Sequence, residues 1–188
     1  MKNILLALFV LLIMGCSSNP RVEIKTSEGL IMVELFEKNA PITVSNFLQL
    51  VDEKQYDGSV FYRVVTLTNQ EHNSVKIEVI QGGLFHDDLV EALKPISHET
   101  TDKTNVRHID GTISMARLEP GTASSEFFIC IGEQPELDYG GKRNPDGQGF
   151  AAFGRVVKGM DVVKRIHTLE NTNQLLDAKV KIESISRI

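Results

Sequence analysis

Short apolar runs with a period of two, separated by turn residues, recur along most of this 188-residue chain and constrain its fold more than any other feature. Val22 and Ile24 alternate with Glu23 and Lys25, and Ile31, Val33 and Leu35 resume the alternation after Thr26-Ser27-Glu28-Gly29. Residues two apart share one side of an extended chain, so each run carries one apolar face, and the turn between them predicts an antiparallel hairpin. The same pattern predicts strands over Val60–Leu67 and Val75–Ile80, forming a long hairpin around the polar segment 68–74. Further strands are expected over Thr112–Ala116, Glu126–Ile131, Ala151–Val157 and Lys179–Ile185.

Helical spacing is confined to two places. Pro41 opens a stripe of Val44, Phe47, Leu48 and Val51, and Val162, Val163 and Ile166 mark a shorter helix over Met160–His167. The stretch Leu84–Arg107, polar and broken by Pro95, is expected to be surface loop with one short apolar turn around Leu89–Leu93. Many short strands with two helices favour a closed barrel or a sandwich, and a barrel removes the exposed strand edges. Alternation alone leaves the strand order open.

The N-terminus carries Lys2 ahead of the apolar run Ile4–Met14, which is too short to cross a bilayer core and is expected to be an export signal. Ile13-Met14-Gly15-Cys16 resembles a bacterial lipobox, so the expected organisation is a signal peptide over 1–15, a lipidated Cys16 with a tether over 16–20, and one domain over 21–188. That places the domain outside the cytoplasm, anchored to a bacterial membrane, on its periplasmic face if there are two membranes. With Cys16 carrying lipid, Cys130 is the one thiol left, so no disulfide framework is expected and packing must supply the stability. A net charge of −5 lacks the basic field that a phosphate backbone needs, which argues against nucleic acid as a partner.

Several common chemistries lack their residues. The five histidines have no paired spacing for a metal, and no metal or cofactor is expected. Gly140–Gly149 has the wrong spacing for a phosphate loop, and Pro145-Asp146-Gly147 reads as a turn. Ser114, Ser124 and Ser125 do not sit in a nucleophile elbow. What remains is a cation beside apolar and carboxamide side chains: Phe61-Tyr62-Arg63, Val79-Ile80-Gln81-Gly82-Gly83 and Ser125-Glu126-Phe127-Phe128-Ile129. Such a set can grip a small apolar ring next to an amide bond.

These segments, with Gly111–Ala116 and Phe153–Val163, resemble the cyclophilins in order and over nearly all of Val22–Ile188. The resemblance implies an eight-stranded antiparallel barrel capped by two helices, and peptidyl-prolyl cis-trans isomerase activity on proline-containing polypeptides, acting as a monomer. Arg63 is then the catalytic cation, with Gln81 as the carboxamide that contacts it. Val79, Phe128 and Leu137 fall where the family lines its proline pocket. Phe61, Glu126 and Phe150 complete the expected contacts, and the backbone of Ala116 and Arg117 is expected to pair with an extended peptide, leaving the side chain at 117 free to vary. Glu78, Glu126, Glu136 and Phe150 stand where many members carry phenylalanine, glutamine, tryptophan and histidine or tyrosine, and the chain contains no tryptophan. A carboxylate at 126 could orient Arg63 or compete for its donors. Two alternatives stay open: a proline-segment binding module or chaperone with weak or no catalysis, and a hollow barrel holding an apolar ligand. Bulky Ile113, Met115 and Phe127 argue against the second.

Overall fold

The computed structural model describes residues 18–188; the expected signal peptide and Cys16 lie outside them. Among the described residues, nine strands and four helices run in the order β1 (Arg21–Thr26), β2 (Gly29–Leu35), α1 (Pro41–Asp52), β3 (Val60–Val65), β4 (Val79–Gly83), α2 (Asp87–Glu91), α3 (Thr101–Thr104), β5 (Thr112–Met115), β6 (Phe127–Cys130), β7 (Ala151–Lys158), α4 (Met160–His167), β8 (Asn171–Thr172) and β9 (Leu175–Arg187). The strands form one antiparallel sheet, ordered β1-β2-β7-β5-β6-β4-β3-β9, which β9 closes by pairing with β1; β8 adds a short strand on β9. This is a closed eight-stranded barrel with one extra strand.

Period-two burial fills the barrel from within. Ile24, Ile31, Val33, Phe61, Ile113, Phe127, Ile129 and Phe153 are fully buried in one cluster, where Phe127 meets the rings of Phe47, Tyr56 and Phe61 edge-on at 5.7 Å each. A packed interior of this kind leaves no room for the apolar-ligand alternative. The apolar stripe of α1 buries Val44, Phe47, Leu48 and Val51, and Pro41 occupies the first helical turn, where its missing N–H costs no bond. α4 buries Val162, Val163 and Ile166 and spans the residues its spacing predicts.

Two expectations need correction. β3 ends at Val65 and β4 starts at Val79, so the expected strand over Val75–Glu78 is absent, although Val65 and Val79 do pair as the root of a hairpin. The connection exposes residues 71–74 but is held together at its base. Gln70 is buried inside it, donating Nε2 to the carbonyls of Thr66 and Ile77 and accepting the Ile77 N–H, so a side chain does the work a strand ladder would have done. Residues 84–107 hold two short helices rather than one turn; α3 ends at Asn105 in a left-handed cap that the apolar pattern does not signal.

A second, smaller apolar cluster lies outside the barrel wall: Val65, Ile77, Val79, Phe128, Cys130 and Leu137, with Ala116 and Phe150 against it. Phe127 and Phe128 divide between the two clusters, as alternation along a strand requires.

Candidate active site

The second cluster floors a cavity of about 290 Å³, lined by Arg63, Val79, Gln81, Ala116, Arg117, Phe128, Leu137 and Phe150 with Ile77, Leu118, Arg143 and Asn144. Eight of the ten residues expected at a site therefore converge here. The two exceptions have clear causes. Phe61 points into the barrel and is fully buried, supporting Phe127 rather than touching the groove. Glu126 lines a neighbouring depression and forms no hydrogen bond with Arg63, bonding instead to Tyr62, Ser125 and the N–H groups of Leu84 and Phe85. A larger cavity of about 560 Å³, lined by Phe36, Asn105, Arg107 and Arg155 among others, lies among loops away from these residues and lacks the apolar socket.

Register brings the key groups together. Arg63 pairs with Gln81, and Gln81 pairs with Phe128, so cation, carboxamide and ring lie side by side on three adjacent strands. The Arg63 guanidinium donates Nη1–H to Gln81 Oε1 at 2.9 Å, and Nε–H and Nη2–H to Gln174 Oε1. A guanidinium has five N–H groups, so one proton on each Nη is left for a ligand. Burial pulls the Arg63 pKa down. A guanidinium is basic enough to stay charged all the same.

Gln174 is a contact the sequence did not reveal. It and Asn173 form the β8–β9 turn with φ of 73° and 52°, a left-handed pair of the kind that tight hairpins need. Its Nε2 donates to the Asn69 carbonyl, so the carboxamide is fixed at both ends. Turn chemistry around Asn171–Gln174 was visible; a partner 111 residues away was not.

Tyr62 is the second unforeseen member. Gln81 Nε2 donates to its hydroxyl at 2.6 Å, and that hydroxyl donates to Glu126 Oε2 at 2.6 Å. This fixes which way the Gln81 amide faces: nitrogen to Tyr62, oxygen to Arg63. Glu126 Oε1 accepts the N–H groups of Leu84 and Phe85 and the Ser125 hydroxyl. Burial raises the Glu126 pKa, and these hydrogen bonds oppose the rise. Gly83 permits the approach: its φ is 147° and a Cβ there would overlap the Glu126 carboxylate.

The socket floor has its own support. Phe128 stacks on His108 at 5.9 Å and 16° and meets Phe150 edge-on. His108 lies between Asp138 Oδ1, 2.7 Å from Nδ1, and Ser114 Oγ, 2.9 Å from Nε2. Burial pushes the His108 pKa down, so the ring is neutral at pH 7, donating Nδ1–H to the carboxylate and accepting the Ser114 O–H. The order serine, histidine, carboxylate is that of a hydrolase triad, yet Ser114 is fully buried, so no substrate can reach its oxygen. Burial likewise raises the Cys130 thiol well above its ordinary range, as an inert core residue requires.

The Arg117 side chain has contacts that the sequence did not suggest. Its guanidinium is bonded to both Asp146 carboxylate oxygens and to the Gly149 carbonyl, and lies 5.2 Å from the Phe150 ring centre. The side chain braces the far rim of the cavity, and Asp146 is its partner as well as a turn residue. Ile77 supplies the apolar surface at the position next to Glu78, which is not among the residues lining the cavity.

With a cation on an apolar notch in the outer wall of an eight-stranded barrel in place, the chain also matches the cyclophilin type peptidyl-prolyl cis-trans isomerase/CLD family along residues 21–187, and it belongs to that family as an isomerase. Among its relatives, peptidyl-prolyl cis-trans isomerase cyp18 of Streptomyces antibioticus is 38% identical over 77% of this chain and 81% of its own. Peptidyl-prolyl cis-trans isomerase A of Dickeya dadantii is 33% identical over 85% and 77%. A cyclophilin crystal structure from Cryptosporidium parvum, 20% identical, superposes with a TM-score of 0.70 over 90% of this chain and 98% of its own; the same protein crystallised in the presence of the dipeptide Ala-Pro gives 0.68 over 88% and 96%.

Proposed function

We propose that this chain turns X-Pro bonds in exported polypeptides, with Arg63 as the catalytic cation, from a lipid anchor on Cys16. The reaction breaks no covalent bond. Amide resonance sets a barrier of about 18–20 kcal/mol, so a catalyst need only hold the twisted amide better than either planar form. As conjugation fails, the prolyl nitrogen regains a lone pair, and an Arg63 N–H donates to it more strongly than to the planar amide. Arg63 resists the pull of solvent because two carboxamides already hold three of its donors. Phe128, Val79, Leu137 and Ile77 immobilise the pyrrolidine ring, whose burial is worth about 1.5–3 kcal/mol, while the preceding residue rotates. The Ala116 backbone on the rim suits an extended peptide.

The observation that carries this reading is the convergence of Arg63, with one proton free on each Nη, on the rim of an apolar socket sized for a ring. A prolyl-peptide assay on the wild type and Arg63→Ala tests it. Removing one preorganised donor typically costs about 10²–10³ in rate. Peptide binding without acceleration in the wild type favours the binding-module alternative instead. Lipobox residues Ile13–Cys16 support the anchor, and incorporation of a radiolabelled fatty acid, lost in Cys16→Ala, tests it independently.

A further inference from the structure

The isomerase cavity holds a second guanidinium. Arg143 lines it together with Arg63, and the two are near enough that the Arg63 charge, after burial, helps lower the Arg143 pKa. Arg63 donates only to carboxamides, and Arg143 donates Nη1–H to Gln70 Oε1 at 2.7 Å and to the Val75 carbonyl at 2.6 Å. Among the described residues neither forms an ion pair, whereas Arg117, on the same cavity, is paired with Asp146. Glu136, whose carbonyl accepts the Arg143 N–H, turns its carboxylate to the Lys142 N–H. Two half-buried like charges without a counterion repel one another, and an anion between or beside them removes that cost.

The register says where along a bound peptide that anion belongs. β4 and β6 run from the Val79–Cys130 pair to the Gly82–Phe127 pair, and Ala116 donates its N–H to the Glu126 carbonyl beyond the second pair. Ile77 lies beyond the first pair. Arg143 is bonded to Gln70, which itself holds the Ile77 backbone, so Ala116 and Arg143 stand at opposite ends of the groove wall. With residues before the proline lying along Ala116, the chain leaves the ring toward Arg143.

We infer that Arg143 is a specificity-determining residue that favours an acidic side chain directly after the proline, making X-Pro-Glu and X-Pro-Asp segments the preferred substrates. The preference rests on the groove being the isomerase site. Two chain segments build it: the 66–78 connection supplies Gln70 and the Val75 carbonyl, and the 140–149 loop supplies Arg143 itself.

The test is exchange NMR on the full chain in detergent, with the end-capped peptides Ala-Ala-Pro-Glu-Ala and Ala-Ala-Pro-Gln-Ala, which differ in one charge. The Glu peptide is expected to show a kcat/KM about three- to tenfold above the Gln peptide at low salt, with the ratio shrinking as salt rises. The ratio should approach one in Arg143→Gln and persist in part in Arg143→Lys. Because the two peptides are compared on one variant, general damage to the 66–78 connection cancels. A wild-type ratio of one, or a ratio unchanged in Arg143→Gln, overturns the acidic preference while leaving isomerisation standing. Acceleration of neither peptide removes both readings.

Discussion

Arg63 presents Nε–H and Nη2–H to a single oxygen, Oε1 of Gln174, at 3.1 and 2.5 Å. Together with the Gln81 bond, the clamp leaves one proton on each Nη uncommitted, and it comes from a turn whose left-handed backbone disfavours most side chains. Holding a glutamine there is a cost that the Arg63 contact explains. Gln174→Gly removes the carboxamide and relieves the backbone, so thermal stability should change little. Turnover should not follow: kcat/KM in a prolyl-peptide assay is expected to fall about tenfold, as loss of a hydrogen bond to a charged group implies. A variant with unchanged kcat/KM would show that Gln81 alone holds Arg63.

Tyr62 links Gln81 to Glu126, so the two ends of the chain of hydrogen bonds should act as a unit. Tyr62→Phe is expected to lower kcat/KM about three- to tenfold through a freely turning Gln81, and Glu126→Gln to change turnover by a similar factor. The double variant should lose no more than the worse single one, since residues in one network are not additive. Glu126 also fixes a sign. Its folded pKa is raised by burial, so its contribution to stability is greatest below the ordinary carboxyl value and is lost as pH rises through the raised one. Melting curves should therefore show Glu126→Gln gaining on the wild type as pH climbs through the mildly acidic range. Equal pH slopes for the two proteins would show that Glu126 titrates normally.

Gly83 gives the same carboxylate its room. A methyl group there meets Glu126 Oε1 and Oε2, which four hydrogen bonds hold in place, and the backbone angle opposes any side chain. Gly83→Ala is expected to cost about 2 kcal/mol or more in denaturant unfolding. If Gly83→Ala in a Glu126→Ala background costs as much, the backbone angle alone is responsible.

Elements whose burial follows a simple period were legible: β1, β2, α1 and α4 fall where alternation or helical spacing puts them. The connection from Thr66 to Glu78 was not, because Gln70 organises it through its side chain, and periodicity carries no information about such bonds. At the site, motif residues converge, but three side chains required coordinates. Gln174 and Tyr62 act through partners distant in sequence. Ile77 fills the apolar place beside Glu78 because β4 starts later than alternation predicts. Ile77→Ala should accordingly raise KM for prolyl peptides and reduce stability by about 2 kcal/mol or more, the cost of emptying a buried site of that size. Unaltered KM with lower stability would confine Ile77 to packing.

His108 ties the socket floor to pH. Its ring is buried, neutral and stacked under Phe128, and its pKa lies below the ordinary 6.5 because burial outweighs the hydrogen bond to Asp138. A depressed histidine contributes stability that is whole above 6.5 and is lost as pH falls through the folded value, since the unfolded chain takes the proton first. Asp138 is also lowered, its hydrogen bonds from the His108 ring and backbone N–H overcoming the upward push of burial, so its contribution persists until the pH falls below its ordinary 3.8. The interval between roughly pH 7 and 5 thus isolates His108 from Asp138. In a Glu126→Gln background, which removes the opposite slope of that carboxyl, the melting temperature should fall across that interval, and prolyl-peptide turnover with it, as a charged ring displaces the Ser114 hydroxyl beneath Phe128. His108→Gln, which can still bridge Asp138 and Ser114, should start with a lower melting temperature and flatten the slope. An undiminished slope in that variant would move the pH dependence to another group, with His98, whose pKa burial also lowers, the next to measure.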